Sequence, residues 1–184
     1  MNWRIRELRP GELSVIDRIF AGLSDHSRYL RFHAPVPRLT GTYRQALAHV
    51  DSTHVALVAE LGPGVGAGAG AGVGVGVGVG VDRQPVGMVR MVQVRPGHAE
   101  LSVEVVDAMH RRGVGASLLR AAARQAAAAG VRTAEASVLA GNRPVLRLVR
   151  AVFDDAAFTF DGPLVRVELQ LGGNRSFTGG AVCR

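Results

Sequence analysis

The stretch from Val105 to Ala116, VVDAMHRRGVGA, has the residue types of an anion cradle. An apolar run ends at Val106, a helix-forming run rich in Ala, Leu and Arg starts within a few residues, and Gly113 and Gly115 lie at the junction. The first turn of a helix leaves about four backbone N–H groups without partners, and its aligned dipoles place roughly half a positive charge there. Such a terminus suits a phosphate. The two glycines keep side chains away from a pyrophosphate, and Arg111 and Arg112 add charge at its rim. His110 is placed either to touch the anion or to cap the helix. A steric reading of the glycines stands beside this one, because small residues at a helix start allow close packing on a sheet. The dinucleotide fingerprint GxGxxG does not fit: its third glycine is missing, and Glu135 lies inside a strand. The GK[ST] element of a P-loop is also missing.

Two carboxylates precede the junction. Glu100 and Glu104 share one face of the strand-forming run 99–106 with Ser102, because strand side chains alternate. A charge in the middle of a central strand calls for a partner or a wet cleft, and Arg90 or Arg95 would serve as partner for Glu104. The histidines His26, His33, His49, His54, His98 and His110 show no paired ligand spacing, and neither CxxC nor HExxH occurs, so no metal site is expected. Cys183 has only Arg184 nearby to lower its pKa and is not a candidate nucleophile.

The elements that must position these residues follow from periodicity. Residues 2–9 alternate apolar and polar and end at Pro10-Gly11, a first strand and its turn. Leu13, Ile16, Ile19 and Phe20 fall at helical spacing over 12–20, with Gly22 closing the helix. Ser24 would cap a second helix over 24–32, stopped by Pro35 and Pro37, and a short helix over 43–49 follows. The short apolar runs 53–60 and 85–94 read as strands joined by a Gly-rich tract. A strand over 99–106, a helix over 110–129 ending at Gly130, a strand over 133–140, a helix over 142–152 and strands over 158–160 and 165–171 complete the order. Consecutive strands beside single crossovers predict an α+β fold of mixed α/β layers, with a central, mostly antiparallel mixed sheet flanked by helices. One domain over 1–171, with a Gly-rich insertion at 62–81 and a mobile tail at 172–184, is the expected organisation.

The six positions His110-Arg111-Arg112-Gly113-Val114-Gly115 resemble the Q/R-x-x-G-x-G/A signature of the GCN5-related N-acetyltransferase (GNAT) superfamily, which lies between that family's fourth strand and third helix. Both glycines match, and His stands where the family has Gln or Arg. The preceding run AELSVEVV is similar to the family's fourth strand. VLAGNRPVLRLVRAVF is similar to a later motif in which an Asn, here Asn142, opens a helix beside the pantetheine arm. LSDHSRYLRFHAPVPRL resembles the N-terminal helices of a bacterial subgroup that includes protein-lysine acetyltransferases.

This resemblance, from about residue 3 to residue 171, implies a GNAT-like fold with acetyl-CoA as acyl-donor substrate. The pyrophosphate would sit on the amides of 111–116 and the pantetheine would pair like an extra strand with 101–106. The implied binding residues are Val105, Val106, His110, Arg111, Arg112, Gly113, Val114, Gly115, Ala116 and Asn142. The implied activity is acetyl transfer to a primary amine, of a protein lysine or a small molecule, by direct attack in a ternary complex. A non-catalytic acyl-CoA-binding regulatory domain is the alternative. In the similar lysine acetyltransferases a Glu in an A-E-x-A/S context serves as base, which points to Glu100, with Glu104 as runner-up. The superfamily's frequent Tyr acid, seven residues after the Asn, is replaced by Val149. Tyr29, Phe32 and His33 would line the acceptor pocket if the second helix covers the cleft, as in the family.

Composition narrows the partners. The net charge of +7 comes from Arg spread along the chain, and aromatics make up only 5%, so no basic patch with interleaved aromatics marks a nucleic-acid surface. The uncharged run Leu61–Val81 is long enough to span a bilayer, but each of its alternating glycines lowers helix stability by roughly 1 kcal/mol, and no membrane span is expected. The N-terminal MNWRIRELRPGE lacks the apolar core of a signal peptide and the single cysteine suits a reducing compartment, so a cytoplasmic location is expected. The expected partners are acetyl-CoA and an amine acceptor, in an arrangement compatible with a homodimer.

Overall fold

Alternating apolar runs build a seven-stranded sheet from β1 (Trp3–Glu7), β2 (His54–Leu61), β3 (Gln84–Arg95), β4 (His98–Val105), β5 (Thr133–Leu139), β6 (Ala157–Asp161) and β7 (Leu164–Gln170). The computed structural model describes residues 3–62 and 83–171. The strands lie in the order β1-β2-β3-β4-β5-β7-β6. All neighbours run antiparallel except β4 and β5, which are parallel. The mixed, mostly antiparallel α+β sheet expected from the sequence is the one observed. The Gly-rich insertion past residue 62, and the tail 172–184 with Cys183, lie outside the described residues.

Among the described residues five α-helices cover the sheet: α1 (Leu13–Ala21), α2 (Asp25–Phe32), α3 (Gly41–Ala48), α4 (Val114–Ala128) and α5 (Arg143–Val152). Period-2 alternation assigns the two faces. Leu118 of α4 lies against Gly87 and Val105, whereas Ile16, Ile19, Phe20 and Leu47 gather with Met88 and Glu104 on the other side. On α4 the residues Leu118, Leu119, Ala122, Ala123 and Ala126 are fully buried, and the three alanines let the helix axis approach the sheet closely. Among the described residues no helix is long and apolar enough to cross a membrane.

The helix ends follow the predicted capping chemistry. Ser24 Oγ accepts from Ser27 N–H at 3.2 Å, and Asn142 Oδ1 accepts from Val145 N–H at 3.3 Å. Gly130 takes the left-handed turn after α4 at φ +85°. One boundary moves. The helix expected from residue 110 starts at Val114, because residues 107–109 form a single 3₁₀ turn and Arg111 and Gly113 adopt φ of +58° and +88°, which no α-helix contains.

The α1–α2 turn is docked onto the end of β4. Asp107 N–H donates to Gly22 O at 3.0 Å, and Ser24 N–H donates to the Asp107 carboxylate at 3.3 Å. A Cβ on Gly22 would fall 2.6 Å from Val106 Cγ1. Gly22→Ala therefore forces the turn away from β4 and is expected to lower stability by about 1–3 kcal/mol, read as a lower urea midpoint at unchanged m value.

Candidate active site

The parallel junction between β4 and β5 holds for three residue pairs only: His98 with Thr133, Ala99 with Ala134, and Glu100 with Glu135. Beyond them β4 continues along β3 to Val105, and β5 continues along β7 to Leu139. The two strands part after Glu100 and leave an open edge on residues 101–105. Backbone carbonyls alternate along a strand. Glu104 O points to β3, only 2.9 Å from where a Cβ of Gly87 would sit, so Val105 O faces the gap.

The gap leads to the loop 110–113. Its two left-handed residues, Arg111 and Gly113, curl the backbone into a concave turn, a form that gathers successive N–H groups around an anion. Gly113 is the N-cap of α4 and no side chain caps that end. The first bond back into the helix runs from Ser117 N–H to Gly113 O at 3.0 Å, so the amides ahead of it are the helix's unpaired donors. The two glycines serve different needs. Gly113 meets a backbone requirement, whereas a Cβ on Gly115 would strike Leu148 Cδ2 of α5 at 2.9 Å. Close helix packing thus explains Gly115. Val114 is buried, and Gly115 and Ala116 are half-buried.

His110 neither caps α4 nor turns to the loop amides: its Nε2 lies 2.8 Å from Val105 O, the last carbonyl of the open edge, and must donate to it. Arg111 and Arg112 are exposed, and Arg112 Nε donates to Ala108 O at 3.1 Å. Val106 is buried in the core. Asn142 is buried at the start of α5 and spends its carbonyl oxygen on the helix cap. Val149 is buried in the core face of α5 and offers no proton.

Glu100 is exposed at the point where the strands diverge and has no hydrogen-bond or ion-pair partner among the described residues. Glu104 is buried, and its partner comes from α2 rather than from the neighbouring strand: Arg31 Nε donates to it at 2.6 Å. The strand arginine Arg90 lies close enough for its charge to interact with Glu104. Burial pushes the Arg90 guanidinium below its usual pKa, opposed by Glu104 and reinforced by Arg31. Arg95 is exposed at the far end of β3. Phe32 packs against Phe20 and Tyr43, while Tyr29 and His33 are exposed. Asp107 stands at the base of the loop. Burial raises its pKa, but hydrogen bonds from Ser24 and Ser27 outweigh that and hold the carboxyl below its ordinary range.

Sequence spacing missed one cluster. The loop between α3 and β2 brings His49, Asp51 and His54 together, with ligand atoms all within 4.8 Å of one another. Hydrogen bonds from His54, Thr53 and His49 hold the Asp51 carboxyl far below the usual carboxylate range. His-x-Asp-x-x-His is not a regular helix or strand spacing, and it converges only because the loop reverses direction. The spacing also overlooked Arg31, whose contact with Glu104 is set by tertiary packing alone.

Residues 64–153 match the model of the acetyltransferase (GNAT) family. No curated protein matches the sequence. Among solved structures, the GNAT domain of S. lividans PAT superposes with a TM-score of 0.73 at 24% identity, covering 91% of this chain and 90% of that one. An N-acetyltransferase from Staphylococcus aureus Mu50 gives a TM-score of 0.62 at 20% identity, over 94% of this chain and 100% of that one. A cAMP-binding acyltransferase from Mycobacterium smegmatis gives 0.59 at 19% identity over 97% of this chain, which spans 46% of its length. The resemblance read from the sequence is borne out in family model and in fold.

Two outcomes test this geometry. Gly115→Ala gains helix propensity of up to about 1 kcal/mol but must displace the terminal Cδ2 methyl of Leu148, so it is expected to stabilise a Leu148→Ala background more than the wild type, as measured by urea unfolding. A depressed carboxyl pKa contributes stability above its unfolded value near 3.9 and loses it as pH falls through the folded value. The stability difference between wild type and Asp107→Asn should therefore be largest near neutrality and fade below about pH 4 in unfolding measured across pH.

Proposed function

We propose, from the GNAT family match and fold, that the chain transfers an acetyl group from acetyl-CoA to a primary amine by direct attack in a ternary complex. One observation carries this reading: the open edge of β4 runs directly into the turn 110–113 and the start of α4, which no side chain caps. That track suits a ligand with an extended amide-bearing arm ending in a diphosphate. The arm's amides would complete the edge of 101–105, and the diphosphate would take the N–H groups of 111–116.

A lysine-type amine, with pKa near 10.4, is almost wholly protonated at neutral pH and must lose a proton before it attacks. Glu100 is the base in this proposal, because its carboxylate is exposed where the cleft opens and no cation claims it. The ammonium gives one proton to Glu100 directly or through water, the neutral nitrogen forms the new C–N bond, the C–S bond breaks to release CoA as thiolate, and the second nitrogen proton passes to the thiolate or to water. A free N–H on the open edge of β4 would stabilise the carbonyl oxygen as charge develops. Glu104 is the weaker candidate, since Arg31 already holds it as an ion pair. The acceptor is a protein lysine or a small-molecule amine.

A second reading, an acyl-CoA-binding regulatory domain without turnover, is favoured by the buried Val149 and by His110 turned onto Val105 O. Calorimetric titration with acetyl-CoA followed by an amine and peptide panel separates the two. Glu100→Gln is expected to lower kcat by about 10²–10⁴-fold with acetyl-CoA affinity unchanged. Equal turnover by the variant removes Glu100 as base, and tight cofactor binding with no turnover on any amine selects the regulatory domain.

A further inference from the structure

We propose that His49, Asp51 and His54 form a binding site for a divalent transition-metal ion of the zinc type, with one coordination position left to water. The inference is independent of the acetyl-transfer reading. His49 Nε2 lies 2.9 Å from Asp51 Oδ2, and His54 Nδ1 lies 2.6 Å from Asp51 Oδ1. The two imidazoles stand edge to face with centroids 5.0 Å apart. Zinc binds imidazole nitrogen and carboxylate oxygen at about 2.0–2.2 Å, which puts tetrahedral donor atoms roughly 3.3–3.5 Å apart. The two short contacts, to different oxygens of Asp51, lie below that value, and all three ligand atoms fall within 4.8 Å of one another, so side-chain rotations that open the two contacts admit the ion.

The surroundings supply what three ligands alone would lack. Thr53 donates to Asp51 Oδ1 twice, from its backbone N–H and from its hydroxyl, each at 2.7 Å. This holds the carboxylate plane and leaves Oδ2 turned toward His49. Such outer contacts orient metal ligands. The loop backbone is tied down as well, by His54 N–H to Asp51 O at 3.1 Å and by Gln93 N–H to Thr53 O at 2.8 Å. His49 and Asp51 are open to solvent, which provides an entry path, while His54 is mostly covered. An imidazole and carboxylate donor set without thiolate favours zinc, copper or nickel over calcium or magnesium. Coordination requires the tautomer of each ring whose proton sits on the nitrogen facing away from Asp51.

The cluster lies on the sheet face that carries Glu100. His54 pairs with Val92, and Val92 pairs with Glu100, so His54 stands two strands away, about 10 Å across the sheet. An ion there would add positive charge to the sheet face that carries Glu100.

The test uses the full chain carrying Cys183→Ser, so that the tail thiol cannot act as a ligand. After chelator treatment, Co²⁺ is added as a spectroscopic probe and Zn²⁺ is titrated by calorimetry. The expected result is one equivalent of metal, with the intense visible bands of tetrahedral Co²⁺. His49→Ala or His54→Ala should weaken Zn²⁺ binding at least tenfold, Thr53→Val by about 10–100-fold, and His26→Ala not at all. Absence of saturable uptake, or uptake equal in the His49→Ala/His54→Ala double variant, overturns the proposal. Should that double variant lose its native circular dichroism, His49→Gln alone decides, since His49 is a surface residue.

Discussion

Three residue pairs hold the two halves of the sheet together, and the rest of the molecule is arranged around their ending. Buried backbone polar groups are almost always paired, so two strands that stop pairing inside a sheet present donors and acceptors that something else must meet. β4 follows β3 through Val105 and β5 follows β7 through Leu139, while the two stop pairing with each other after Glu100 and Glu135. The loop 110–113 and the unpaired first turn of α4 stand at the mouth of the gap. A single path of backbone donors thus runs from mid-sheet to a helix terminus.

The helices divide the labour between the two faces. Packing on the α4 side is apolar, close and dominated by small residues. The opposite face carries α1–α3 and the charged groups, including the Arg31–Glu104 pair and Arg90 with its buried Nε unpaired. Burying an ion pair is costly unless its geometry is good, and the 2.6 Å contact between Arg31 and Glu104 meets that condition. The α1–α2 turn, locked to Val106 and Asp107, ties this charged face to the base of the loop.

Periodicity and end signals made most elements legible from sequence, because they are local. Ser24 caps the helix it is expected to cap, Gly22 and Gly130 close theirs, and Asn142, which the resemblance sets beside a pantetheine arm, spends its Oδ1 on the N-terminus of α5. α4 starts about one turn later than its sequence pattern predicts, since Arg111 is not a residue type that advertises a positive φ. The glycine motif was visible, but its two glycines looked alike in the sequence and differ in the fold. Only the position of Leu148 shows that Gly115 answers to a neighbouring helix. The partner of Glu104 is not an arginine of the adjacent strand but Arg31, on a helix 73 residues away in sequence, a contact no local pattern encodes.

The Gly115–Leu148 contact acquires a further meaning from its place. The slot between the half-sheets is pinned at one end by the three strand pairs and, near its mouth, by this helix crossing. A frame fixed at both ends has a defined width, and the crossing acts as its gauge block. Bulk added or removed at Leu148 would act on that width from a residue outside the loop 110–116.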